Sequence, residues 1–119
     1  KYPDVEEYYV VGASIGSTSA INAAAQNDLI TKVVAISPGM DYQGVDITRS
    51  VKDYRHPILL VAASGDTESA QAVTQIDALS SDPGTETKIY PGSAHGTDLF
   101  DATKDSDDPL SAVITEFLK

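Results

Sequence analysis

Four runs of aliphatic, β-branched and aromatic residues divide the chain, each giving way to a turn or a small-residue stretch. Residues 8–11 (YYVV) end at Gly12, residues 32–37 (KVVAIS) end at Pro38-Gly39, residues 57–62 (PILLVA) pass into Ala63-Ser64-Gly65, and residues 87–90 (TKIY) end at Pro91-Gly92. Short apolar runs without polar alternation predict strands buried on both faces, the kind a parallel sheet uses. Between them the pattern turns helical. Residues 17–26 carry Ala, Ile and Asn with no Gly or Pro, so a helix there can lie close against a sheet. Val73, Ile76 and Leu79 share one helical face, and Pro83-Gly84 stops that helix. Near the C-terminus, Asp108 is expected to cap a helix with Pro109 in its first position, and Leu110, Val113, Ile114, Phe117 and Leu118 form its apolar stripe. Residues 1–7 read as a loop. So do residues 40–56, which contain Gly44 and show weak periodicity, with one helical turn expected at 50–54. Strands alternating with helices predict an α/β fold, a parallel sheet of about four strands with right-handed connections and flanking helices. With 119 residues there is room for a single domain, spanning 1–119.

Charge changes the picture by exclusion. Eighteen acidic residues, thirteen of them Asp, face eight basic ones for a net charge of −10, which argues against a nucleic-acid partner. Such a surface keeps a protein dispersed, and it also suits a salt-adapted host. With no cysteine there is no disulfide or thiolate metal site, and the redox compartment stays open. No apolar run reaches the roughly 18 residues of a membrane span and no leader pattern is visible, so no membrane partner is expected and a cytoplasmic location is favoured. The chain starts at Lys1 and its only methionine is Met40, which suggests an N-terminus produced by cleavage or by an engineered truncation.

In a parallel α/β sheet, chemistry gathers beyond the carboxyl ends of the strands. Three reactive residues fall there: Ser14 after the first strand, Asp66 after the third and His95 after the fourth. A serine hydroxyl is a weak nucleophile at neutral pH and needs a positioned base. That base needs a third group to fix its tautomer and stabilise its imidazolium. Ser14, His95 and Asp66 supply these types in the chain order Ser, Asp, His. Gly12 and Gly16 flank the serine at the two positions where a strained strand-to-helix turn is expected to exclude side chains. The amide of Ile15, at the helix N-terminus, is placed to meet a developing oxyanion. A GxSxG pattern arises by chance in roughly one chain in twenty of this composition, so its weight comes from standing between a strand and a helix. Glu68 competes with Asp66 for the acid role. His56 precedes Pro57 at the amino end of a strand, the wrong edge for this chemistry. Leu99 and Phe100 are expected in the core.

With these residues in place the chain resembles the α/β-hydrolase superfamily, most of all its dienelactone-hydrolase and carboxylesterase branch. VVGASIG around Ser14, ISPGMDY after the second strand, PILLVAASGDTESA around Asp66 and KIYPGSAHGTDLF around His95 carry the likeness. The resemblance implies a nucleophile at Ser14, an acid at Asp66, a base at His95, an oxyanion donor at the Ile15 amide, and no metal or organic cofactor. Dienelactone hydrolases use cysteine at the elbow, so serine favours plain hydrolysis of a small carboxylic ester.

The superfamily places about four strands and two helices before the elbow strand, whereas seven residues precede it here. The likeness therefore covers the C-terminal half of the fold. The loop carrying the second oxyanion donor is then missing, and the strand at 8–11 offers an edge for a homodimer or for an N-terminal half. The expectation is a fragment of a longer hydrolase, weak or inactive alone. A thioesterase or peptidase with the same triad, an anion-binding module using the 12–16 loop, and a non-catalytic edge-pairing module are the alternatives. Residues 40–54 are expected to line or cover the acyl pocket, or else to form an ordinary surface loop.

Overall fold

The structure, a computed structural model, describes residues 7–42 and 45–119. In chain order the elements are β1 (Tyr8–Ala13), α1 (Ile15–Ala25), β2 (Ile30–Ile36), β3 (Asp41–Tyr42), β4 (Val45–Asp46), α2 (Thr48–Asp53), β5 (Ile58–Ala63), α3 (Thr67–Leu79), β6 (Glu86–Tyr90), α4 (Asp98–Thr103) and α5 (Leu110–Leu118). Four strands form one parallel sheet in the order β1-β2-β5-β6, while β3 and β4 pair antiparallel as a small separate ribbon. The α/β architecture expected from the alternation of apolar runs is present.

The apolar residues of the middle strands divide between two cores. Val33, Ala35, Leu60 and Ala62 meet Ile21 of α1, Val51 of α2, and Val73 and Ile76 of α3 on one face. Val34, Ile36, Leu59 and Val61 meet Leu99 of α4 and Leu110 and Phe117 of α5 on the other. Successive side chains of a strand point to opposite faces, so a strand covered by helices on both sides has no polar position to offer. All six residues of β5 are buried accordingly.

β1 departs from the expectation of burial on both faces. Among the described residues it is an edge strand, paired to β2 alone, and Tyr8, Tyr9 and Val11 are each between 43% and 49% exposed. An apolar run by itself does not distinguish a central strand from an edge. Residues 1–6 lie outside the described residues, as does Gly44 of the expected 40–56 loop. The described part of that loop is more ordered than expected, holding the β3–β4 ribbon and the six-residue α2. Helix α4, with the sequence DLFDAT, is too short to show an apolar period and was not expected. Its Leu99 is buried as anticipated, but Phe100 is exposed.

The start of α5 also differs. Pro109 stands at the N-cap position, one residue before the helix. Asp108 makes no cap bond, and its carboxylate pairs with Lys88. The first amide of the helix, Leu110 N–H, donates instead to the buried Thr103 hydroxyl at 2.9 Å. Among the described residues no helix is long and apolar enough to cross a membrane.

Candidate active site

The carboxyl ends of β1, β5 and β6 deliver Ser14, Asp66 and His95 to one rim of the sheet. Ser14 occupies the turn between β1 and α1 with φ 56° and ψ −122°, a sparsely populated conformation for a residue with a side chain. Its backbone is held by the sheet, since Ser14 N–H donates to Ile36 O at 2.8 Å. Ser14 stands at the N-cap of α1, where a serine ordinarily turns its hydroxyl onto the first helical amides. It makes no such bond. Its Oγ lies 2.9 Å from His95 Nε2 instead.

Asp66 repeats this behaviour at the next helix. It is the N-cap of α3 without a side-chain cap bond, and its Oδ2 lies 2.5 Å from His95 Nδ1. Two N-cap side chains are thus turned away from their own helices onto the same imidazole. An ionised carboxylate only accepts hydrogen bonds, so Nδ1 carries the hydrogen, which leaves Nε2 to accept from the serine hydroxyl. The Asp66 side chain is 18% exposed and that of His95 50%. The carboxylate is sheltered, and the imidazole is open to solvent.

Backbone contacts hold the three loops together. Ser64 N–H donates to Tyr90 O at 2.8 Å and Gly65 N–H to Gly92 O at 2.7 Å, tying the Asp66 loop to the His95 loop. Gly96 N–H, directly after the histidine, donates at 2.8 Å to the buried Ser37 hydroxyl at the end of β2. Ser37 also has a positive φ, 53°. At the elbow, Ser17 Oγ and Ser17 N–H both donate to Ser14 O, at 2.6 and 3.0 Å.

The two elbow glycines are not equivalent. A Cβ on Gly12 would overlap the Gly16 carbonyl, whereas a Cβ on Gly16 would meet nothing within 4 Å. The expected steric demand falls on Gly12 alone. Ile15, the first residue of α1, presents its side chain to solvent and lines the cleft beside Ser14.

That cleft has a volume of about 230 Å³ and lies between the start of α1 and the start of α3. Ser14, His95, Thr18, Ser37, Glu68 and Ser69 are on its walls. The Thr18 hydroxyl is the buried side-chain oxygen without a partner among the described residues. Glu68 borders the cleft, but the histidine takes its hydrogen bond from Asp66. None of the described residues of 40–54 lines it. Pro38 and Gly39 do so, and Met40 faces another hollow with Leu79. His56 sits at the opposite edge, stacked edge-on against Tyr54 with 5.6 Å between ring centres. Among the described residues no group of three or more His, Cys, Asp or Glu could hold a metal ion.

Sheet order, crossover pattern and elbow define the class: this is the architecture of the α/β hydrolases, present over part of that fold. No protein-family model matches the chain, and no curated protein matches it. Among solved structures it is similar to a dienelactone hydrolase from Anabaena variabilis (TM-score 0.68, 19% identity, 91% of this chain and 45% of that one). It is also similar to a Pyrococcus furiosus esterase (TM-score 0.74, 15% identity, 95% and 53%). A lipase-esterase related protein from Clostridium acetobutylicum is a third (TM-score 0.76, 13% identity, 94% and 66%). The chain spans about half the length of the first two structures.

Proposed function

We propose that the chain carries the catalytic residues of a serine hydrolase that cleaves a small carboxylic ester through an acyl-enzyme. The observation that carries this reading is the unbroken hydrogen-bonded line from Ser14 Oγ through His95 to Asp66 Oδ2, 2.9 and 2.5 Å long. Ser14 Oγ attacks the ester carbonyl while His95 Nε2 takes its proton. The imidazolium, steadied by Asp66, then protonates the departing alcohol oxygen. Water enters, gives its proton to the same nitrogen and adds to the acyl carbonyl, and collapse of that adduct returns Ser14 and releases the acid. The amide of Ile15, at the positive end of α1, stabilises the oxyanion in both halves. No metal or organic cofactor takes part.

The length of the matched structures supports a longer natural polypeptide, whose additional strands pair with β1 and supply a second oxyanion donor. One missing donor costs about 10²–10³ in turnover, so the 119 residues alone are a weak catalyst. The exposed Tyr8, Tyr9 and Val11 support pairing at that edge, with either an N-terminal half or a second copy as occupant.

Treatment with a fluorophosphonate tests the chemistry without turnover. Covalent modification of Ser14, lost in His95→Ala, is expected. Equal modification of the wild type and the His95 variant would show that the histidine does not activate the serine.

A further inference from the structure

The imidazole has a long way to come. His95 follows β6, three strands from β1 in the sheet order β1-β2-β5-β6. At about 4.8 Å per strand, the loop must recross roughly 14 Å of the sheet's rim to meet Ser14. Two hydrogen bonds bracket the histidine along that path. Before it, Gly92 O accepts from Gly65 N–H over β5; after it, Gly96 N–H donates to Ser37 Oγ over β2, the strand next to the elbow. The second anchor is the one that sets the reach.

We infer that Ser37 is a positioning residue for the hydrolase reaction, its hydroxyl holding the His95 loop at β2 so that Nε2 meets Ser14. The inference rests on the hydrolase reading above. Ser37 is 2% exposed, and its own amide donates to Val61 O at 2.7 Å, so the hydroxyl has a fixed base. Its φ of 53° is a conformation glycine takes freely and an L-residue takes at a cost. A glycine would satisfy the backbone here, and what only the side chain adds is the acceptor for Gly96. Gly96, itself at φ 63°, then turns the chain into α4. Among the described residues the one hydrogen bond of His95 Nε2 is that to Ser14 itself, so a loop released from Ser37 lets the imidazole withdraw toward β5 and β6.

Ser37→Gly separates positioning from folding, because it removes the acceptor while relieving the backbone; Ser37→Ala removes the acceptor and keeps the strain. In both variants of the 119-residue chain, the Gly96 amide is expected to exchange with solvent about tenfold faster. The downfield Nδ1–H resonance of His95 is expected to broaden or shift. Fluorophosphonate labelling of Ser14 should slow by roughly tenfold to a hundredfold, while Ser37→Gly, freed of the backbone strain, should be thermally more stable than Ser37→Ala. Wild-type labelling with an unchanged His95 resonance in Ser37→Gly would overturn the inference. A wild-type chain that is never labelled would defeat the hydrolase reading alone, and the resonance and exchange of residues 95 and 96 would still decide whether Ser37 positions the loop.

Discussion

The amide of Gly65 donates to the carbonyl of Gly92 at 2.7 Å, and a Cβ built on Gly65 would stand 2.7 Å from that same oxygen. The loop bearing Asp66 and the loop bearing His95 therefore touch at a point where no side chain fits. Gly65→Ala forces the two backbones apart. A loss of about 1–3 kcal/mol in stability is expected from the overpacking. Labelling of Ser14 should fall by roughly a hundredfold if the loops separate by an ångström. Denaturation midpoints and labelling rates measure the two effects, and wild-type values for both would mean that the contact relaxes elsewhere.

The elbow offers a paired comparison. At Gly12 a methyl group would run into the carbonyl of Gly16, a backbone atom fixed by α1, so Gly12→Ala is expected to destabilise the fold by about 1–3 kcal/mol and to distort Ser14. At Gly16 the same methyl meets open space, and alanine is the better helix former. Gly16→Ala should be neutral or stabilising by about 0.5–1 kcal/mol. Urea titrations of the two variants decide this, and equal destabilisation would refute the asymmetry.

If Ser14 and His95 act as one unit, their losses do not add. Ser14→Ala and His95→Ala are each expected to lower hydrolysis of p-nitrophenyl acetate toward background, and the double variant should be no slower than either single one. Asp66→Ala should leave more activity than they do, since in the proposed mechanism Asp66 orients the base without touching substrate. A double variant slower than both singles by the product of their separate effects would assign the two residues to independent sites.

The sequence makes some of this arrangement legible because it is local. An apolar run, Gly-x-Ser-x-Gly and a small-residue helix occupy eighteen consecutive positions, and the turn that holds Ser14 is built within them. The alternation of runs and helices likewise gives the sheet. What depends on contacts across the chain is hidden. Ser37 matters through an amide 59 positions away, Gly65 through a carbonyl on another loop, and nothing in their immediate neighbours marks either. Both residues stood within the stretches that carried the family resemblance, yet their contacts had no local signature. Burial depends on position in the sheet: YYVV reads locally as a strand buried on both faces, yet among the described residues β1 has no neighbour on its outer side, the edge that the family likeness implied, while β5 has one on each side. Asp108 fitted a cap by type, and Lys88 across the fold took its carboxylate.

The far end of β6 ties the second core to α5 through Tyr90, whose hydroxyl donates to Asp108 O at 2.7 Å. Burial of the ring, with the Asp108 charge adding to it, pushes the phenol up to about 12 from an ordinary value near 10. The folded chain therefore keeps this proton over a range in which the unfolded chain has lost it, and stability falls as pH rises from about 10 to about 12. Below that window the contribution is complete. Tyr90→Phe removes the titration and the hydrogen bond together, so it should cost about 0.5–1.5 kcal/mol at neutral pH and flatten the alkaline limb of the stability curve. Part of that limb should persist, because burial raises the Tyr54 phenol in the same direction. Urea midpoints measured from neutral pH to about 12 read both effects, and an alkaline limb in Tyr90→Phe as steep as in the wild type would show that this phenol is not the group being titrated.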